Sequence, residues 1–217
     1  MAFVAFISGY DMPKRLPVPS DSEARRRVDE TQNKELRHER AIAYALLECA
    51  FFDLFGENMP ALYFSPDGKP SLAEGSLHVS LSHTDGCIAV AFSKNDIGID
   101  AQSYPSVIGK EKVLARFANE SLQKELKSAK SAEVIYKKYT VSESGDISAA
   151  VCELEPRRTA PAPESAGADT AAVWTRLEAL LKCRRGFASL SDAPTLVRAA
   201  RISTVYLDSA ALSVALI

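Results

Sequence analysis

The sequence predicts a mixed α+β protein, and three observations carry that expectation. Ala43, Leu47, Ala50 and Leu54 follow the i, i+4, i+7, i+11 spacing of a buried helical stripe. Leu77-His78-Val79-Ser80-Leu81-Ser82 alternates apolar and polar residues strictly, as a half-buried strand does. Turns at His83-Thr84-Asp85-Gly86 and Lys94-Asn95-Asp96 then separate two further apolar runs.

Phe3 to Ile7 is rich in strand formers. The N-terminus has no basic n-region and no long h-region, so it reads as a first strand rather than a signal peptide. A polar segment with Arg25, Arg26 and Arg27 follows. The helix runs from about Asn33 to Phe55, where Gly56 is a natural stop. Ser65-Pro66-Asp67-Gly68 is a turn. The strands Leu77–Ser82, Cys87–Phe92 and Ile97–Asp100 are expected to form a three-stranded meander. From about Gly109 to Lys138 the chain reads as helical. The composition shifts between Ser142 and Thr170, and Thr159–Ala168, poor in bulky apolar residues, reads as a mobile insert. A helix over Ala171–Lys182 precedes strands near Ala199–Tyr206 and Ala211–Ile217. Each half thus runs from a strand through a helix to a pair of strands. Ile88-Ala89-Val90-Ala91 after Asp85-Gly86, and Leu212-Ser213-Val214-Ala215 after Asp208-Ser209, suggest an internal repeat.

At 217 residues the chain suits one large domain or two compact lobes. With 47% hydrophobic and 25% charged residues it has the composition of a soluble globular protein. The net charge of −2 gives no reason to expect nucleic acid, although local basic clusters can hold phosphates. No apolar run is long enough to span a bilayer, so no membrane partner is expected. Cys49, Cys87, Cys152 and Cys183 show no paired spacing, which fits reduced thiols in a cytoplasm.

Three stretches stand out as chemistry, and each also has a bland reading. Asp100, at the end of an apolar strand, is either a solvent-facing acid or a ligand for a hard cation. Glu178 and Lys182 lie four apart on the second predicted helix, the spacing of an ordinary surface ion pair. Trp174, Leu177, Leu181, Val173 and Leu180 form that helix's apolar stripe, so the pair sits at the rim of a buried face where a cleft can open. His83, beside Ser82, is a turn residue or a phosphate ligand. Gly68-Lys69-Pro70 is a turn carrying a cation, and Arg37 and Arg40 lie on the polar side of the first helix.

In combination, Gly68-Lys69-Pro70, Ser82-His83-Thr84, Gly98-Ile99-Asp100 and Trp174-Thr175-x-x-Glu178-Ala179-x-x-Lys182 resemble the 4′-phosphopantetheinyl transferases. The nearer branch is the monomeric type that activates peptide synthetases, and the likeness extends from about Arg37 to Ala215. The resemblance implies two similar lobes in a pseudo-twofold arrangement, each a small sheet packed on a long helix. They are expected at 1–102 and 103–217, the second with an insert near 142–170. It implies a cytoplasmic monomer that moves 4′-phosphopantetheine from coenzyme A to a serine of an apo acyl or peptidyl carrier protein. Asp100 and Glu178 are the implied Mg²⁺ ligands, with Gln102 beside them. Arg40, Lys69, Pro70, Ser82 and His83 are the implied grip on coenzyme A, and Lys182 the implied contact to its phosphates. Arg25 and Arg27 lie roughly where further basic contacts fall. Two positions depart from the pattern: Leu177 replaces a lysine, and Gln102 replaces a second acid, which can still ligate Mg²⁺ but adds no charge.

The implied reaction is attack of a serine hydroxyl on the β-phosphate, with Glu178 or a water as the base. The carrier is expected to dock near Pro105–Lys130. Two other readings stay open. Leu177 and Gln102 motivate a catalytically weakened coenzyme A or carrier-protein binding protein. Carboxylates and a lysine around Mg²⁺ also suit a phosphohydrolase.

Overall fold

The computed structural model describes residues 1–73, 75, 77–150, 167–183 and 190–217. In chain order they form β1 (Ala2–Ser8), α1 (Ser22–Asp29), α2 (Lys34–Phe55), β2 (Leu62–Phe64), β3 (Pro70–Leu72), β4 (His78–Thr84), β5 (Cys87–Ser93), β6 (Ile97–Ser103) and α3 (Tyr104–Val107). There follow α4 (Glu111–Phe117), α5 (Glu120–Ser128), β7 (Val134–Val141), β8 (Ile147–Ala149), α6 (Ala168–Lys182), α7 (Ala193–Ala199), β9 (Arg201–Tyr206) and β10 (Ala210–Leu216). The mixed α+β class holds. No helix among the described residues is long and apolar enough to cross a membrane.

Two sheets pack face to face. One has the order β4-β5-β1-β7-β8, with β1 and β7 parallel and the other pairs antiparallel. The other is antiparallel, β6-β10-β9, and β2 and β3 form a small hairpin apart. Strand alternation sends Val4 and Phe6 of β1, Ala89 and Ala91 of β5, Ile97 and Ile99 of β6, and Leu212 and Val214 of β10 into one core between the sheets. The opposite face of β1 and β5 carries Ala5, Ile7, Ile88 and Val90 against Ile42, Leu46 and Leu47 of α2. The outer face of β10 meets Leu180 and Cys183 of α6, backed by α4, α5 and α7. Each fully buried Leu or Ile in these layers contributes roughly 1.5–3 kcal/mol.

Asn33 caps α2 by accepting from the Leu36 amide at 2.9 Å, and Gly56 closes it in the left-handed conformation at φ 74°. The buried stripe of α2 passes through Ala43, Leu47, Ala50 and Phe51, while Leu54, in the last turn, is 38% exposed. Ser22–Asp29, which the sequence offered only as a polar arginine-rich segment, is the helix α1, capped by Asp21.

Two local expectations are corrected. Helix does not continue to Lys138: α5 ends at Ser128, and Val134–Val141 is a strand paired parallel to β1. Val134, Ile135, Tyr136, Tyr139 and Val141 are strand formers, and burying Val134 and Tyr136 between the sheets overrides the mild helical bias of the preceding charged segment. Nor is there a three-stranded meander. β4 and β5 form the expected hairpin, but β6 leaves it to pair with β10. Sheet membership therefore interleaves across residue 102, with β6 joining β9 and β10 while β7 and β8 join β1. The start of the expected insert is ordered as β8, and its stretch 151–166, with Cys152, lies outside the described residues.

Where β6 passes β4, side-chain hydroxyls take the place of a backbone ladder. Ser80 Oγ accepts from the Ile99 amide at 3.1 Å, Ser82 Oγ from the Ala101 amide at 3.1 Å, and Thr84 Oγ1 from the Ser103 amide at 3.2 Å. The alternation in β4 was real, but its polar face is not solvated: Ser80 and Ser82 are buried against the free edge of β6.

Candidate functional site

The site grows from the α6-facing side of β6, which presents Gly98, Asp100 and Gln102. Gly98 has no side chain because there is no room for one. A Cβ there would lie 1.9 Å from the Ala179 carbonyl oxygen and 2.8 Å from the Cys183 nitrogen, so α6 backbone rests directly on β6. That approach brings Glu178 and Lys182, one turn apart on α6, over Asp100.

Asp100 is not the solvent-facing acid of the bland reading; its side chain is only 4% exposed. Lys182 Nζ donates to Asp100 Oδ1 at 2.6 Å, and Ser82 Oγ donates to the same oxygen at 2.9 Å. Glu178 Oε2 lies 3.9 Å from that ammonium, and Glu178 Oε1 accepts from Trp174 Nε1 at 2.7 Å. Exposure rises from Asp100 through Lys182 at 18% to Glu178 at 42%, so the group opens from the interior toward solvent. Burial pushes the Asp100 carboxyl up to about 6; the Lys182 ammonium opposes this, and the Glu178 charge adds to it. Across the ladder from Asp100, Ser213 continues the polar layer, its hydroxyl 2.7 Å from Thr175 Oγ1 and 2.8 Å from Thr204 Oγ1.

Above this group lies a cleft of about 170 Å³ walled by Arg27, Arg40, Tyr44, Phe64, Gly68, Lys69, Pro70, His83 and Lys182. The Arg27 guanidinium sits 4.1 Å from the Phe64 ring centroid, and its Nε is 3.3 Å from the Tyr44 hydroxyl. Arg40 Nη1 donates to Thr31 Oγ1 at 2.7 Å. His83 Nδ1 lies 3.0 Å from Glu39 Oε2. Lys69 Nζ donates to the Lys182 carbonyl, tying the β2–β3 turn to the C-terminal end of α6. Five cationic or titratable nitrogen side chains thus surround one cavity beside two carboxylates, a distribution suited to a polyanion. An apolar pocket of about 250 Å³, with Leu114, Phe117, Trp174 and Leu177 in its wall, opens on the other side of Glu178 and Lys182.

Asp100, Glu178, Lys182, Lys69, Pro70, Arg40 and His83 therefore come together, and Arg27 joins them. Arg25 does not: its guanidinium donates to the Pro19 carbonyl. Ser82 is 6% exposed, its hydroxyl committed to Asp100 and the Ala101 amide. Gln102 shares a strand face with Asp100, and its Nε2 donates to Ser106 Oγ. Leu177 packs as its place in the apolar stripe predicts, 4% exposed beside Leu114 and Leu180. Sequence reasoning missed Glu39, Tyr44 and the role of Gly98. The four-residue step from Trp174 to Glu178 was a readable signal for their hydrogen bond; the partners of His83 and Arg27 had none.

Among the described residues no three His, Cys, Asp or Glu side chains converge as a metal cluster. A hard cation held by two carboxylates needs no such triad, since Mg²⁺ keeps phosphate and water in its shell. The donor set fits one: among the described residues Asp100 Oδ2 is buried without a hydrogen-bond partner, and Glu178 Oε2 is held only by a long ion pair. Of the free cysteines, Cys87 and Cys183 are buried, and burial pushes both thiols up to about 12, as inert packing groups. No protein-family model matches the chain, and no curated protein matches it.

Proposed function

We propose that this protein is a 4′-phosphopantetheinyl transferase that loads a serine of an apo acyl or peptidyl carrier protein from coenzyme A. The observation that carries this reading is the union of a carboxylate–lysine–carboxylate group, rooted in the buried Asp100, with a cation-lined cleft, built from the motifs that resemble the family. The repeated connectivity supports the two-lobe, pseudo-twofold architecture of that family: strand, helix and hairpin give the orders β4-β5-β1 and β9-β10-β6.

Arg27, Arg40, Lys69 and His83 bind the nucleotide phosphates, as the cavity they share allows. Asp100 and Glu178 would hold Mg²⁺, with Gln102 as a neutral third donor, and the bound ion would supply charge neutralisation for the pyrophosphate. Glu178, the most exposed of the three charged groups, accepts the serine proton. The serine oxygen bonds to the β-phosphorus, the bond to the bridging oxygen breaks, and 3′,5′-ADP leaves with its new charge beside the Lys182 ammonium. Asp100→Ala and Glu178→Ala should each lower transfer on the order of 1,000-fold without unfolding the protein. The measurement is the phosphopantetheine-sized mass gain of an apo carrier incubated with coenzyme A and Mg²⁺. Loading by either variant at the wild-type rate would sink the assignment.

The packing of Leu177 and the tie from Gln102 to Ser106 favour a second reading, a coenzyme A or carrier binder with weakened transfer. Bound coenzyme A without a mass gain on any apo carrier would select it. Release of 3′,5′-ADP with no carrier present would instead select a phosphohydrolase.

A further inference from the structure

We infer that Ser82 is a positioning residue for the cation-binding carboxylate and not one of the groups that grip the nucleotide. The inference rests on the proposed role of Asp100 in holding a metal. Ser82 Oγ accepts from the Ala101 amide at 3.1 Å and donates to Asp100 Oδ1 at 2.9 Å, so its one proton and an acceptor site are already used inside the protein. The residue is 6% exposed, and Lys182 Nζ approaches the same hydroxyl at 3.5 Å. Ser82 and Lys182 together hold Oδ1, which leaves Oδ2 as the buried oxygen without a partner. A carboxylate pinned through one oxygen presents the other to a cation in a fixed direction. That is how a partner behind a metal ligand raises affinity without touching the metal.

Ser80 supplies the control. Its hydroxyl accepts from the Ile99 amide at 3.1 Å, the same ladder role two residues earlier, and no bond from it to Asp100 exists. Ser82→Ala and Ser80→Ala each delete one ladder bond; only the first also removes a bond to Asp100.

The experiment is Mn²⁺ titration of the full chain without coenzyme A, followed by paramagnetic resonance of the free ion, together with KM for coenzyme A at saturating Mg²⁺. Ser82→Ala should weaken Mn²⁺ binding on the order of 10-fold while KM for coenzyme A stays at the wild-type value. Ser80→Ala should bind Mn²⁺ as wild type does. Equal weakening in both variants would reduce Ser82 to a ladder residue and overturn the proposal. So would a raised KM for coenzyme A with unchanged Mn²⁺ affinity, which would make Ser82 a nucleotide contact. If Ser82→Ala does not fold, Ser82→Cys, with the same shape and a weak donor, is read in its place. Wild-type protein that binds Mn²⁺ yet loads no carrier would sink the transferase reading alone. Wild-type protein that binds no Mn²⁺ would sink this inference.

Discussion

β1 and β6 each pair with one strand of a hairpin, β1 with β5 and β6 with β10, and present opposite chemistry to their helices. Each has seven residues, and each pairs its first residue with the last of an antiparallel neighbour: Ala2 with Ser93 in β5, Leu216 of β10 with Ile97. Toward α2, β1 shows Phe3, Ala5 and Ile7, faced across the ladder by Phe92, Val90 and Ile88. Toward α6, β6 shows Gly98, Asp100 and Gln102, faced by Ala215, Ser213 and Ala211. One layer is filled with bulky apolar groups. The other has small and polar groups, so its helix lies close and brings charge with it. Close helix approach and buried charge thus go together at the strand from which packing bulk is withdrawn. The cost is a buried ion pair whose separation leaves a charge in the interior, while the layer between β1 and α2 stays apolar.

The comparison breaks first at Gly98. Gly98→Ala puts a Cβ 1.9 Å from the Ala179 carbonyl, and α6 must lift off the strand. Urea unfolding should show a loss of about 3 kcal/mol or more, and carrier loading should vanish. A change on the α2-facing side of β1, Ala5→Gly, should cost only about 1 kcal/mol and spare loading. Equal losses would mean that close approach does not distinguish β6 from β1.

A smaller effect is expected from Leu177→Lys, which restores the lysine of the resembling motif. Leu177 is buried among Leu114, Leu180 and Val173, so the substitution should cost about 2–3 kcal/mol and leave loading no faster. A faster variant with an unchanged melting temperature would show that the residue faces the cleft.

A further effect is one of pH. With its folded pKa raised to about 6, Asp100 holds a proton that the unfolded chain has already lost above the usual carboxylate range. The folded state binds more protons in that window, so stability falls as pH rises through it, and the loss is complete above about pH 6. Compared with Asp100→Asn, wild type without metal should lose stability between about pH 4 and about pH 6. A constant difference would place the carboxylate in a solvated setting like that of any surface acid.

Much of this was legible before any coordinates. The stripe from Ala43 to Ala50 with its Asn33 and Gly56 ends is α2, because helix ends and faces are written in local spacing. The four-residue steps from Trp174 through Glu178 to Lys182 set those groups along one edge of α6, and Leu177 packs as its position dictates. Hydrophobic alternation also located β4, yet it misplaced the polar face, because alternation says which residues share a side and not what covers it. Only the tertiary structure put β6 beside β10 and turned Ser82 inward to Asp100. It drew Val134–Val141 from a helical reading into a strand beside β1, and it joined Arg27, Arg40, Lys69 and His83 in one cleft. The local choices follow from the geometry of a single backbone turn. The site depends on residues such as Ser82 and Lys182, 100 positions apart, whose meeting is decided by which faces the packed sheets and helices bury together.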